Sequence, residues 1–426
     1  MTERLIIRNF AGLEEVDIEL GRINIFIGPQ ASGKSVCAKC LYWFKSFLPE
    51  LISSAAAGQE SQVFDNAFLS RLKEYFPNIW RNEEAFLLRY EQAETFIQVS
   101  NEYGKLQLTY DSAFHETADN IREKTKEWKK RYLSPRWNDT TLDYLFEEFL
   151  KEKKEYLSTK SEDMPYVTQL FVAAGRSFFV AIRSSILAFL VQAPAIDPFL
   201  RDFITKYERA RKYQPDINNK VVKHLWELAH HILKGQLVVE GEEDYIIAAN
   251  GRRITIAHAS SGQQEAYAML LLLINLLSDD DETPGGNPHT VYLEEPEAHL
   301  FPESQRVLAQ LMSTIFHKSV FHIQYVITTH SPYLLASFNN LVYAQQLAET
   351  LHDQPDKLKA LYQVVPKNQQ LALADMRVYG FENGTAHSLI DKESGLLSAD
   401  LLDSASDVTA EQFGDLMALD PATQPE

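Results

Sequence analysis

Apolar and polar positions alternate near the start of the chain. Leu5-Ile6-Ile7-Arg8-Asn9-Phe10 and Val16-Asp17-Ile18-Glu19-Leu20 flank Gly12, and the second run has the period of two of a half-buried strand. Ile23-Asn24-Ile25-Phe26-Ile27 predicts a short buried strand ending at Gly28-Pro29, followed by a helix over about 33–47 that stops before Pro49. Residues 50–85 carry no clear period and read as helix or loop. Between residues 86 and 110 the period returns to two, and the runs 96–99 and 106–108 flank Asn101-Glu102-Tyr103-Gly104, which predicts a hairpin. Residues 111–165 are charged and helical, with an apolar face through Leu142, Leu145, Phe146, Phe149, Leu150, Tyr156 and Leu157 and a break at Pro135. A second helical stretch covers about 176–233, with a stripe of Val221, Leu225, Leu228, Ala229 and Ile232. Both stripes read as packing faces.

Strand pattern resumes at 237–239, 245–247 and 253–257, and a helix is predicted over 262–277. The run Asp279-Asp280-Asp281-Glu282 with Pro284-Gly285-Gly286 reads as a solvated loop. A strand at 291–293, a helix at 303–316 and a strand at 325–327 follow, then a hairpin across Asn383-Gly384 and a helix near 409–419. Strands alternating with helices, without internal repeats, predict an α/β fold.

Composition narrows the classes. The 426 residues are 45% hydrophobic and 23% charged, ordinary for a globular chain. The net charge of -18 repels phosphate backbones at long range, which argues against wholesale coating of nucleic acid. Two cysteines, Cys37 and Cys40, do not make a disulfide scaffold. Met1-Thr2-Glu3-Arg4 has no apolar run behind it, and the aliphatic run 268–277 is about half the ~20 residues that a membrane-spanning helix needs. A cytoplasmic protein without a membrane segment is expected.

Four segments carry chemistry. Gly28-Pro29-Gln30-Ala31-Ser32-Gly33-Lys34-Ser35 matches the phosphate-loop pattern between an apolar strand and a helix. Its glycines let backbone N–H groups wrap an anion at a helix N-terminus, Lys34 reaches the β- and γ-phosphates, and Ser35 ligates Mg²⁺. Glu294-Glu295 closes the apolar strand Thr290-Val291-Tyr292-Leu293. The first acid would support the metal and the second polarise water. Aspartate is commoner in the first place, and Glu294 reaches one methylene further. His330, in Thr328-Thr329-His330-Ser331-Pro332, follows another apolar strand and is placed to contact a γ-phosphate. Ser261 and Gly262, opening a helix, can grip a γ-phosphate through N–H groups and the helix dipole, and the plainer reading is N-capping by Ser261.

In this order the four segments resemble those of ABC-type ATPases, in particular the SMC/RecF branch and its OLD-like members in bacterial phage-defence systems. The segments that carry the resemblance are the phosphate loop, Ser260-Ser261-Gly262-Gln263-Gln264-Glu265, Glu294-Glu295-Pro296-Glu297-Ala298-His299-Leu300 and Thr328-Thr329-His330-Ser331-Pro332. The resemblance covers about 1–47 and 235–345. It implies a P-loop NTPase, an ABC-type ATPase head with an antiparallel β subdomain and inserted helical arms. The expected division is a core of 1–50 and 235–345, a hairpin subdomain at 86–110, a helical insertion at 111–233 and a C-terminal extension at 346–426. It further implies ATP and Mg²⁺ as cofactors, with Glu295 and His330 catalytic. It implies a homodimer or higher homo-oligomer in which Ser261 and Gly262 act on a second head's ATP, with Glu297 and His299 at the seam. Phe171-Val172-Ala173-Ala174-Gly175-Arg176 resembles a strand preceding an arginine in such heads. No glutamine is assigned to the metal, although Gln169 is near.

Cys37 and Cys40 lie on the helix behind the phosphate loop, where a zinc hook has no use, and read as packing residues. No Asp-x-Asp pair follows His330 to suggest the nuclease module of OLD proteins, so a separate nuclease or other effector is expected. The role implied is that of the sensor ATPase of a PARIS- or Septu-type system. A RecF-like DNA-repair ATPase, a transporter ATPase and an ATP-locked scaffold without turnover are the alternatives.

Overall fold

The central strand β3 (Ile23–Ile27) shows how one sheet divides the molecule. Successive side chains of a strand face opposite sides, so Ile23, Ile25 and Ile27 enter one hydrophobic core and Phe26 the other. This computed structural model describes residues 3–77, 84–132, 167–177, 197–212, 218–240, 243–277, 289–319, 322–391 and 393–398.

Around β3 the strands are β1 (Glu3–Phe10), β2 (Leu13–Leu20), β4 (Phe86–Gln92), β5 (Thr95–Glu102), β6 (Lys105–Tyr110) and β7 (Thr168–Val172). Further along come β8 (Gly235–Glu240), β9 (Glu243–Ala248), β10 (Arg253–Thr255), β11 (His289–Glu294), β12 (Ile323–Thr329), β13 (Met376–Glu382) and β14 (Thr385–Ser388). Eleven of them form one sheet in the order β6-β5-β4-β1-β2-β14-β13-β3-β12-β11-β7, while β8, β9 and β10 make a small separate sheet. From β13 to β7 every neighbouring pair is parallel, and from β6 to β2 every pair is antiparallel. This is the α/β arrangement predicted, a large mixed sheet with an antiparallel flank.

On one face lie α1 (Lys34–Lys45), α2 (Phe47–Ala56), α3 (Ser61–Tyr75) and α4 (Ser112–Tyr132), with Phe26, Tyr292 and Val326 of the sheet beneath them. On the other lie α5 (Pro198–Lys212), α6 (Lys220–Leu233), α7 (Ser261–Asn275), α8 (Pro302–Lys318) and α9 (Pro332–Thr350). A short helix α10 (Pro355–Val364) follows, none of whose residues is fully buried. Helix α7 is buried all round from Glu265 to Ile274, as its nearly unbroken apolar sequence requires.

Hydrogen bonding draws several boundaries differently from the sequence pattern. Pro49 does not end the helical region, because α2 starts at Phe47 and places the proline in its first turn, where no N–H is needed. The expected hairpin is β5–β6, and β4 extends it into a meander that joins β1. β7 is the strand expected before Arg176, and although it lies inside the stretch expected to be a helical insertion it is the edge strand beside β11. In the stretch expected to be an extension, β13 pairs directly with β3. The run expected as a strand over 253–257 breaks into a 3₁₀ turn at Ile256–His258. Cys37 and Cys40 are fully buried under the sheet, which pushes both thiols up, and they pack as expected. The apolar face at 142–157, the break at Pro135, the acidic loop at 279–286 and the helix near 409–419 lie outside the described residues.

Candidate functional site

Parallel strands present all their C-terminal ends at one edge, where α/β sheets bind ligands. Register brings those ends together: Ile27 pairs with Thr329 and Gly380, Glu294 with Thr328, and Leu293 with Val172. The phosphate loop leaves β3, the acid pair leaves β11, and His330 leaves β12 between them.

Two glycines give the loop its shape. Gly28 has φ 154°, and a Cβ there would stand 2.2 Å from the Phe381 carbonyl oxygen on β13. Gly33 has φ 97°, and a Cβ there would meet the Leu13 side chain at 2.2 Å. Both spaces exclude any larger residue. Gly33 is also the N-cap of α1. No side chain caps that end and its first turn holds no acid, so amide donors and the positive pole of the helix are open to an anion. Lys34 is 4% exposed. Its ammonium folds back into the loop and donates to Gly28 O at 2.9 Å, Pro29 O at 2.6 Å and Ser32 Oγ at 3.3 Å. Burial pulls its pKa down to about 8, against the opposing charges of Glu295 and Glu297. Ser35, next along, is exposed.

The two acids differ in surroundings. Glu294 ends β11 as a buried side chain, and its Oε2 accepts from Ala174 N at 3.3 Å. Glu295 turns out of the strand with φ 44°, its N–H donating to Thr328 O at 2.9 Å, and its side chain is 42% exposed. That left-handed backbone is rare outside glycine and aims the carboxylate away from the strand line. Its Oε1 lies 3.2 Å from His330 Nε2.

His330 is held by a residue that the pattern of strand ends did not single out. Glu297 is buried, and its Oε1 accepts from Thr329 Oγ1 at 2.5 Å and from His330 N at 2.8 Å. Arg176 was legible only through the resemblance of its segment. It is buried beside Glu265, Glu294, Glu295 and Glu297; burial lowers its pKa and the four carboxylates oppose that. Gln169 is engaged on β7 with Tyr42 O and the Tyr292 hydroxyl, within the packing under α1.

At the start of α7 the cap is Ser260, with a capping box to Gln263, so the N-capping expected of Ser261 is corrected by one position. Ser261 is thereby freed to expose its hydroxyl. Gly262 lies against the turn after the acid pair in its own chain, where a Cβ would stand 2.6 Å from His299 O.

The donor set suits magnesium, which takes hard oxygen ligands and keeps waters and phosphates for most of its shell. Ser35, in the first turn of α1 after the phosphate loop, offers a hydroxyl, and Glu294, at the end of β11, a buried carboxylate oxygen whose contact with Ala174 N is long.

A model of the AAA ATPase domain matches residues 94–335. The match spans Arg176, the start of α7, the acid pair and His330, and the phosphate loop precedes it. Among solved structures, the SMC head domain from Thermotoga maritima is similar over 91% of this chain and 97% of its own, at 11% identity and TM-score 0.38. The SMC head bound to the C-winged helix domain of ScpA is similar over 92% of this chain and 98% of its own, at 14% identity and TM-score 0.39. The recombination mediator RecF covers 91% of this chain and 98% of its own, at 12% identity and TM-score 0.35. No curated relative matches the chain. Among the described residues no helix is long and apolar enough to cross a membrane.

Proposed function

This chain belongs to the AAA ATPase domain family, and from that premise we propose that it binds Mg-ATP in the loop 28–35 and hydrolyses it to ADP and phosphate. The observation that carries the reading is the meeting of the loop, the Glu294-Glu295 pair and His330 on three adjacent parallel strand ends. Lys34 exchanges the carbonyls of its own loop for the β- and γ-phosphates, while the amides at the start of α1 take the remaining charge. Ser35 and Glu294 hold Mg²⁺, which supplies charge neutralisation at the phosphates. Glu295, half-exposed and paired with His330, orients and polarises the attacking water, and His330 contacts the γ-phosphate.

In the same reading Ser261 and Gly262 grip the ATP of a second copy, so ATP joins two heads into a homodimer or a higher assembly. The exposed Ser261 at the start of α7, with Ser260 as the separate cap, supports this, since the Ser261 hydroxyl is not spent on capping. The role of sensor and regulator for a separately encoded effector in phage defence rests on the resemblance to OLD-like ATPases. A RecF-like role on DNA is the second reading, and the net charge of -18 disfavours it.

The test is calorimetry with ATP on the wild-type chain and on Lys34→Ala, together with phosphate release. Sharply weaker ATP binding in the variant is expected, with turnover in the wild type alone. Unchanged affinity in Lys34→Ala would remove the loop from the site. Binding without phosphate release would leave an ATP-locked scaffold.

A further inference from the structure

Arg176 follows β7 and is 0% exposed. Its Nη1 donates to Ala173 O and to Glu294 O, both at 2.9 Å, and its Nη2 to Glu295 O at 3.2 Å. Nε donates to Glu265 O at 3.1 Å, and the Glu265 carboxylate completes the grip. Its Oε2 lies 3.3 Å from Nε, and its Oε1 accepts from Ser177 Oγ at 2.8 Å. One planar guanidinium therefore fastens β7, the turn after β11 and α7 to one another, a span that a point-like ammonium does not reproduce.

The connection is specific in direction. Glu265 is one helical turn beyond Ser261, on the same side of α7. Glu295 sits at φ 44°, so the aim of its carboxylate depends on a backbone turn whose carbonyl Arg176 holds. A second contact runs alongside, because Gly262 touches the same turn at His299 O. The start of α7 thus meets the segment 294–299 at both ends, directly at His299 and through Arg176 at Glu294 and Glu295. Stability alone does not call for such a device, since apolar side chains of similar volume replace buried ion pairs at little or no loss.

We infer that Arg176 and Glu265 are positioning residues that tie the start of α7 to the catalytic turn of the same chain. Contact of Ser261 and Gly262 with one ATP then sets the stance of Glu295 toward another. This rests on the reading above, in which those two ATP molecules belong to two heads.

The experiment uses the full chain and the variants Arg176→Lys and Glu265→Gln. The second keeps an acceptor for Ser177 and turns an amide NH2 toward Arg176 Nε in place of the carboxylate oxygen, so it removes the ion pair. Thermal melts establish folding, calorimetry gives ATP affinity, and phosphate release gives kcat and the Hill coefficient. Expected are ATP Kd values within about twofold of wild type, kcat at least about tenfold lower, and a Hill coefficient reduced toward one from a wild-type value above one. Folded variants that keep wild-type kcat and cooperativity overturn the inference. So do variants in which affinity falls in step with kcat, which would mark a merely structural clamp. Should neither variant fold, hydrogen exchange on the unaltered chain decides: ATP must protect amides at 174–177 and 262–265 together, and protection of only one group overturns the coupling. No turnover by the wild-type chain overturns the proposed function and this inference with it, whereas turnover without any effect of the variants overturns the inference alone.

Discussion

Raising the pH from 7 to 9 should weaken ATP binding by a predictable amount through Lys34. In the nucleotide-free chain this ammonium is buried among loop carbonyls, which lowers its pKa from 10.5 to about 8. Two phosphates at the same place favour the charged form and return the pKa to its ordinary range or above. Binding therefore takes up the proton that the free loop has lost. With a free-chain pKa near 8, uptake is roughly 0.1 proton per ATP at pH 7, about 0.5 at pH 8 and about 0.9 at pH 9. The apparent Kd rises about tenfold between pH 7 and pH 9 for the same reason. Phosphate groups titrate near pH 6, so above pH 8 the nucleotide adds little to the count. Calorimetry in buffers of different ionisation enthalpy measures the uptake directly, and Lys34→Ala should abolish its pH dependence. Stability gives an independent check. Between pH 8 and 10.5 the unfolded chain holds more protons than the folded one, so the nucleotide-free protein gains stability as pH rises through that window. With ATP bound, that gain should vanish. A proton uptake that stays flat from pH 7 to pH 9 refutes the placing of the ammonium.

Other consequences can be checked separately. Gly28→Ala drives a Cβ to 2.2 Å from the Phe381 carbonyl at a left-handed backbone, so it should cost about 1–3 kcal/mol in chemical denaturation and abolish ATP binding. Glu295→Gln should bind Mg-ATP but fail to release phosphate, and ATP-dependent crosslinks between the Lys34 and Ser261 neighbourhoods of differently tagged copies should persist longer than in wild type. Adding Ser261→Arg should erase those crosslinks, and their absence in Glu295→Gln itself would refute the shared site. Glu297→Gln weakens the acceptor that fixes the His330 backbone, so kcat should fall about tenfold with ATP affinity retained, as read by phosphate release and calorimetry.

The parts of the site that sit at strand ends were legible because local chemistry dictates them. A glycine-bracketed loop between an apolar strand and a helix, or an acid pair closing such a strand, leaves few alternatives in a short window. What escaped depends on pairing across long separations. β7 is short and legible only through the resemblance of 171–176, and its place in the sheet depends on its partner β11, more than a hundred residues later. β13 likewise reads as part of a tail until it is seen beside β3. Glu265 and Arg176 are single charged residues in apolar surroundings, and nothing local distinguishes such a pair from two unrelated polar positions. Ser260 against Ser261 was a one-residue ambiguity between adjacent serines, which the capping box with Gln263 resolves.

Threading β13 between β3 and the antiparallel flank has a consequence for how the protein is made. The phosphate loop is pressed into shape by Phe381, and the strand that feeds it lacks one neighbour until residues 376–382 have left the ribosome. Until then the nascent chain carries an open edge at β3, a site for mispairing. It also carries a loop whose Gly28 has nothing to close against. Nucleotide competence waits for β13, so a chain stalled upstream of residue 376 should be unable to hold ATP however well its earlier helices have formed.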